Sequence, residues 1–308
     1  MDDQTFFAVA TFERVFDTRP LRDVISLEQL AQGLRRFLVK PKTRQQLERS
    51  ERRIEAAWQG LLAGEASGAI AGLLRRAAAE AEAKGLDGRA AAEAHYRHLL
   101  TEARAAPKRD LRLWSPALYP EDAKRGSDSV IHLSCLVLDY DGGTAIAAAS
   151  ATWQDYFHLV HSTFSYTPEK PKFRLILPLA EPVPAASWHA VYEWAQERTG
   201  FAVDPTGKSI GSTFALPAVP ESGLPRVAFS RPGPLFDPRL EGLIEQAAPP
   251  PPRLRATEPN HFRIPIPGNE VVEGSWPLET PTAPAGTEGE AAGEAFGDDD
   301  WQGAFPWD

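Results

Sequence analysis

The sequence predicts an α+β fold: a mixed β-sheet with flanking helices, a helical insertion towards the N-terminus and a C-terminal tail without structure. Three observations carry that prediction. Residues 130–138 (VIHLSCLVL) and 173–179 (FRLILPL) are apolar, β-branched runs of strand length, the pattern of central strands covered on both faces. Helical patterns at 151–157 and 186–198 interleave with them, the second offering Trp188, Val191, Tyr192 and Trp194 to a core. From residue 241 the chain turns to Pro, Gly, Ala, Thr and acidic residues, which cannot offset the entropy of ordering.

Taken in order, residues 1–42 are expected to join the core as a strand (6–12) and a short helix. Ser26 followed by Gln29 is a capping-box signal, and Leu30, Leu34 and Leu38 continue on one helical face until Pro41 ends it. Residues 43–108 read as two or three helices, with Ile54, Trp58, Leu61 and Leu62 at helical spacing and breaks near 64–68 and 85–88. In the last of these His95 and His98 share a face, but no third ligand accompanies them. Residues 109–240 form the expected α+β unit and 241–308 the tail.

With 43% apolar residues in 308, the chain can bury one sizeable core. No stretch approaches the twenty or so apolar residues of a membrane span, and the N-terminus lacks a signal-peptide pattern, so a cytoplasmic protein is expected. Cys135 is the one cysteine, which excludes an internal disulfide and a cysteine-based metal site. The net charge of −9 argues against a nucleic-acid protein only until it is divided along the chain. Residues 264–308 hold ten acids and no Lys or Arg, leaving 33 basic against 32 acidic residues before them. Basic residues can therefore still cluster, as at Arg35, Arg36, Lys40, Lys42 and Arg44, and at Lys108, Arg109 and Arg112.

The chemistry concentrates at LVLDYDGG. Asp139 and Asp141 follow a strand at a spacing of two, so their carboxylates share a face. Anions held that close repel each other unless a cation such as Mg²⁺ or Mn²⁺ neutralises them. Acid-x-acid after a strand also suits response-regulator, phosphatase and glycosyltransferase sites, so this pair alone leaves the reaction open. The next segment, HSTFSYTPEKPKFRLILPL, places Ser162, Thr163 and Ser165 on a turn and then Lys170, Lys172 and Arg174 leading into a strand, groups that can hold a triphosphate or a template backbone. A third acid, Asp204, lies in FAVDPTGKS. Residues 202–209, AVDPTGKS, also fit a relaxed P-loop with Lys208 on a phosphate, but a helical pattern precedes them where a P-loop needs a strand.

The succession LVLDYDGG, STFSYTPEKPKFRLILPL and VDPTGKS…FALP, with WSPALYPEDAKRG upstream, resembles the motifs of archaeo-eukaryotic primase-polymerases of the plasmid and phage type. That resemblance implies an RRM-like palm within 109–240, metals held by Asp139, Asp141 and Asp204, and a nucleotide contacted by Ser165, Tyr166, Lys172, Arg174 and Lys208. It implies metal-dependent, DNA-directed nucleotidyl transfer, with single-stranded template and nucleoside triphosphates as partners. Two positions depart from the pattern. Tyr166 stands where relatives have His, and Ser212 where they commonly have Arg, removing two groups expected on the triphosphate. His161, five residues before Tyr166, is expected on the opposite face of a continuous strand. The alternative is a primase-like nucleic-acid-binding accessory, weakened in catalysis, serving a helicase, CRISPR or Argonaute partner in replication or defence. The ending DDDWQGAFPWD resembles in kind the acidic, aromatic-tipped tails by which single-strand DNA-binding proteins recruit partners.

Overall fold

The structure, a computed structural model, describes residues 5–65, 67–105, 108, 110–249, 262 and 270–275. Strand β1 (Phe6–Phe12) pairs antiparallel with β2 (Leu21–Ser26). Ser26 ends β2 and caps α1 (Leu27–Arg35). Its Oγ accepts from the Gln29 amide at 3.2 Å while Gln29 Oε1 accepts from the Ser26 amide at 2.9 Å, the reciprocal box expected from the sequence.

Two boundaries differ from expectation here. The helix stops at Arg35, and β3 (Arg36–Val39) takes up Leu38 because Phe37, Leu38 and Val39 are all buried and two strands from far along the chain pair with them. Pro41 opens the next helix rather than ending the previous one. At the first helical position its missing N–H breaks no hydrogen bond. Helices α2 (Pro41–Leu62), α3 (Ala69–Glu82) and α4 (Gly88–Ala105) pack on one another around Trp58, Leu74 and Ala92, with Trp58 stacked on Tyr96 at 5.0 Å. Gly64 (φ 76°) and Gly85 (φ 73°) adopt the left-handed backbone that closes α2 and α3.

After α4 the chain runs through β4 (Leu113–Ser115), β5 (Ala117–Leu118), β6 (His132–Tyr140), α5 (Ile146–Thr152), β7 (His158–Ser162) and β8 (Phe173–Pro184). It continues through α6 (Trp188–Arg198), β9 (Phe214–Ala215), β10 (Ala218–Val219), β11 (Ala228–Arg231) and β12 (Val271–Glu273). The helix expected at 151–157 lies earlier, ending at Thr152, and Trp153 turns fully into the core. Three sheets result, ordered β11-β7-β8-β6-β5, β2-β1-β4-β9 and β10-β3-β12, mixed because β10 runs parallel to β3. The fold is α+β with mixed pairing, as the sequence predicts.

The five-stranded sheet lies between two apolar layers. On one face Leu136, Leu138, Val160, Phe173, Leu175 and Leu177 pack with Trp188, Val191 and Tyr192 of α6. On the other, Val137, Leu159 and Ile176 pack with Phe7 and Val9 of β1, Leu30 and Leu34 of α1, and Trp114 and Phe214. Burial on both faces explains why these strands read as unbroken apolar runs.

The stretch from 241 departs in part from the expected lack of structure. Phe262 is buried, sits edge-on to Trp114 at 5.6 Å and donates its amide to Asp23 Oδ2 at 3.0 Å, while β12 pairs with β3. A few large apolar groups meet partners more than two hundred residues away, a gain that local composition does not register. The terminal DDDWQGAFPWD lies outside the described residues.

Candidate active site

The site grows from strand register. Asp139 of β6 pairs with Arg174 of β8, and Arg174 pairs in turn with His161 of β7. Cross-strand partners project to the same face, so Asp139, Arg174 and His161 form one row across the sheet. The row inward of it is Val137, Ile176 and Leu159, apolar and buried. One step outward Asp141 meets Lys172 at 3.4 Å, and the Thr163 amide donates to the Lys172 carbonyl at 2.9 Å. On this face the sheet thus grades from an apolar core, through a buried polar row, to charges at the surface.

Arg174 is the centre of the buried row. Its Nε and Nη2 donate to Asp139 Oδ2 at 3.0 and 2.9 Å, and its Nη1 donates to the Ala215 carbonyl at 2.9 Å. The guanidinium lies over the Phe214 ring at 5.5 Å, which ties β8 to β9. Asp139 Oδ1 is buried without a hydrogen-bond partner. Burial pushes the Asp139 carboxyl above the ordinary aspartate range, against the pull of Arg174 and with added repulsion from Asp141 and Asp204.

The sequence puts His161 on the face opposite Tyr166, and the two do pack apart: the Tyr166 ring lies against the helix-side core, while register with Arg174 places His161 in the row of Asp139 on the other face. The strand itself ends at Ser162 and the chain turns, the Tyr166 amide donating to the Thr163 carbonyl at 3.0 Å, so the separation comes from this turn rather than from a continuous strand. His161 is fully buried, its Nδ1 lies 3.0 Å from the Ser162 carbonyl, and its Nε2 has no partner. A carbonyl can only accept, so Nδ1 carries the proton and Nε2 a lone pair. Burial, reinforced by Arg174, lowers its pKa to about 3, so this imidazole is neutral and cannot provide the cationic contact that Tyr166 lacks.

Asp204 is held at the end of β6 by its backbone. Its amide donates to the Asp139 carbonyl at 2.9 Å, its carbonyl accepts the Tyr192 hydroxyl at 2.6 Å, and its Oδ1 accepts the Thr206 amide at 2.8 Å. Gly207 packs against the Tyr192 ring, where a Cβ would collide. That packing explains the glycine which gave the sequence its P-loop look: residues 205–208 are one 3₁₀ turn preceded by α6 and a loop, so a P-loop is excluded.

The other expected nucleotide contacts are spread out. Lys208 Nζ pairs with Glu193 of α6 at 2.8 Å. Ser165 is exposed on the 163–166 turn, while the Tyr166 ring is half-buried against the helix-side core. Desolvation, then the charge of Glu169, pushes the Tyr166 phenol upward, so it stays neutral. Ser212 is consumed locally, its Oγ donating to the Thr206 carbonyl at 2.8 Å and its carbonyl accepting from Ser115 Oγ at 2.9 Å. Sequence reasoning left Lys108 as one member of a basic cluster. The fold brings it beside the acids: desolvation, then Lys172 and Arg174, lower its pKa while Asp141 and Asp139 oppose them. Arg112 of the same cluster instead pairs with Glu13 at 2.8 Å.

The donor set fits a hard divalent cation in kind, since Asp139 Oδ1 is an unpartnered carboxylate oxygen beside Asp141 and Asp204. In this arrangement, however, Arg174 and Lys172 hold the first two acids, and among the described residues no three His, Cys, Asp or Glu side chains are gathered as a ligand shell. His95 and His98, with ring centroids 6.0 Å apart, gain no third ligand either. Among the described residues no helix is long and apolar enough to cross a membrane.

Residues 119–206 match the family model described as the VapE N-terminal domain. A solved structure, the AEP domain of the Cyanophage S-2L Primase-Polymerase (PrimPol), is similar at 15% identity over 42% of this chain and 67% of that chain, with a TM-score of 0.31. No curated protein matches the chain. The family match runs from upstream of Asp139 to beyond Asp204, and over that segment it bears out the resemblance to plasmid- and phage-type primase-polymerases.

Proposed function

We propose that the chain carries out metal-dependent, DNA-directed nucleotidyl transfer, the extension or synthesis of a primer. The observation that carries this reading is the graded sheet face, with Asp139 near the end of one strand and Asp141 just past it, opposite Arg174 on the next strand and Lys172 just before that strand begins. Asp139 and Asp141, with Asp204 alongside, would hold Mg²⁺ or Mn²⁺. When bound, such an ion supplies activation of the attacking 3′-hydroxyl and charge stabilisation of the leaving pyrophosphate. The protein's own groups then have separable tasks. Arg174 and Lys172 face the phosphates as a planar fork and a point charge. Tyr192 and Gly207 fix the loop that carries Asp204.

A second reading is favoured by Tyr166 and Ser212. A half-buried neutral phenol and a serine spent on its own loop supply neither cationic contact to a triphosphate, which suits a primase-like protein that binds nucleic acid for a partner with little synthesis of its own. Primer extension with Mn²⁺ separates the two. Extension by the wild type that Asp141→Ala abolishes supports the enzyme. If the wild type is silent and neither Tyr166→His nor the double variant with Ser212→Arg restores extension, while DNA binding persists, the accessory reading replaces it.

A further inference from the structure

The acids of this site already have cations, and they belong to the protein. Asp139 is held by Arg174 of the neighbouring strand and Asp141 by Lys172 just before that strand begins, and Lys108 stands in the same field. Three carboxylates and three cationic side chains therefore balance. A divalent cation added alone makes the cluster net positive, and a triphosphate added alone makes it strongly net negative. The two together leave less net charge than the triphosphate alone, each offsetting part of the other. We infer that Arg174 and Lys172 are exchangeable counter-ions: a triphosphate draws them off Asp139 and Asp141, and a divalent cation takes the carboxylates they leave. Metal and nucleotide then bind with positive linkage. This inference rests on the nucleotidyl-transfer reading.

Two features of the buried row suit an exchange rather than a permanent ion pair. The first is the tether on Arg174. Its Nη1 bond to the Ala215 carbonyl and its stacking on Phe214 do not involve Asp139, so the guanidinium can release the carboxylate and stay within the site. The second is the pair of unpartnered lone pairs flanking it, Asp139 Oδ1 and His161 Nε2. A fixed structural ion pair would be expected to satisfy both carboxylate oxygens, because a buried acceptor left unmade is costly. Here one oxygen is shut away from solvent without a hydrogen bond, a cost that a cation entering as Arg174 leaves would relieve, and neutral His161 adds no competing positive charge to the row.

The test uses the full chain and two probes, Mn²⁺ alone and a metal-free nucleoside triphosphate analogue with a methylene bridge between its α and β phosphorus atoms, each titrated calorimetrically. Arg174→Gln should bind Mn²⁺ roughly tenfold tighter than the wild type and the analogue roughly tenfold more weakly, the scale of one charge-assisted contact. Opposite signs from a single substitution distinguish exchange from damage, since a merely structural arginine would lower both affinities. Lys172→Gln, nearer the surface and less demanding of the fold, should shift both affinities in the same directions by less. If both probes bind the wild type but neither substitution tightens Mn²⁺, the exchange is wrong and the nucleotidyl-transfer reading stands. If neither probe binds the wild type or either variant, both are wrong.

Discussion

Lowering the pH from 7.5 to 5 should cost this protein stability through its buried histidines; burial lowers the pKa of His158 as well, and the two with the largest shifts are His161, in the row of Asp139 and Arg174, and His132. His161 and His132 are 0% and 1% exposed, and burial lowers their pKa values to about 3 and about 4. An unfolded histidine titrates near 6.5, so below that pH the unfolded chain takes up protons that the folded chain refuses. Their stabilising contribution is thus present above about 6.5 and lost as the pH falls. At pH 5 both folded-state values lie below the ambient pH, so the loss is set by the unfolded pKa alone, about 2 kcal/mol for each histidine and about 4 kcal/mol for the pair. Asp139 works in the other direction, because its raised folded-state pKa favours the folded state on acidification. The comparison between variants therefore decides, rather than the wild-type slope. Urea denaturation at pH 7.5 and 5.0 of the wild type, His161→Gln, His132→Gln and the double variant measures it. The double variant should lose about 4 kcal/mol less than the wild type between the two pH values. An equal loss in both proteins would show that these histidines are not held neutral by burial.

Phe262→Ala should destabilise by about 3 to 5 kcal/mol, because the ring fills a closed space against Trp114 and the Gly33 backbone. Truncation after residue 261 should likewise lower the melting temperature, whereas truncation after residue 276 should leave it unchanged; thermal unfolding followed by circular dichroism checks all three. Gly233→Ala should cost about 1 to 3 kcal/mol in chemical denaturation, since its new Cβ would lie 2.6 Å from the Tyr156 carbonyl carbon and 2.7 Å from the Phe157 amide, backbone that cannot rotate aside.

The alternation of side chains along a strand was enough to place Asp139 and Asp141 on one face, and the apolar runs around them marked two central strands before any fold was known. The capping box at Ser26 and Gln29 was legible for the same reason, since both its hydrogen bonds span three residues. The family likeness, too, rested on contiguous motifs, and LVLDYDGG and STFSYTPEKPKFRLILPL fall within residues 119–206, while FALP at 214–217 lies beyond them. What the sequence could not supply were relations set by pairing between distant segments. His161 joined the row because β7 takes its register from Arg174 of β8. Residues 36–39 became a strand because β10 and β12 arrive beside them, and Lys108 reached the acids only through the path of the chain after α4. Local propensity and period are written in near neighbours, whereas register and counter-ion choice depend on contacts whose free energy appears only when the sheets close on one another.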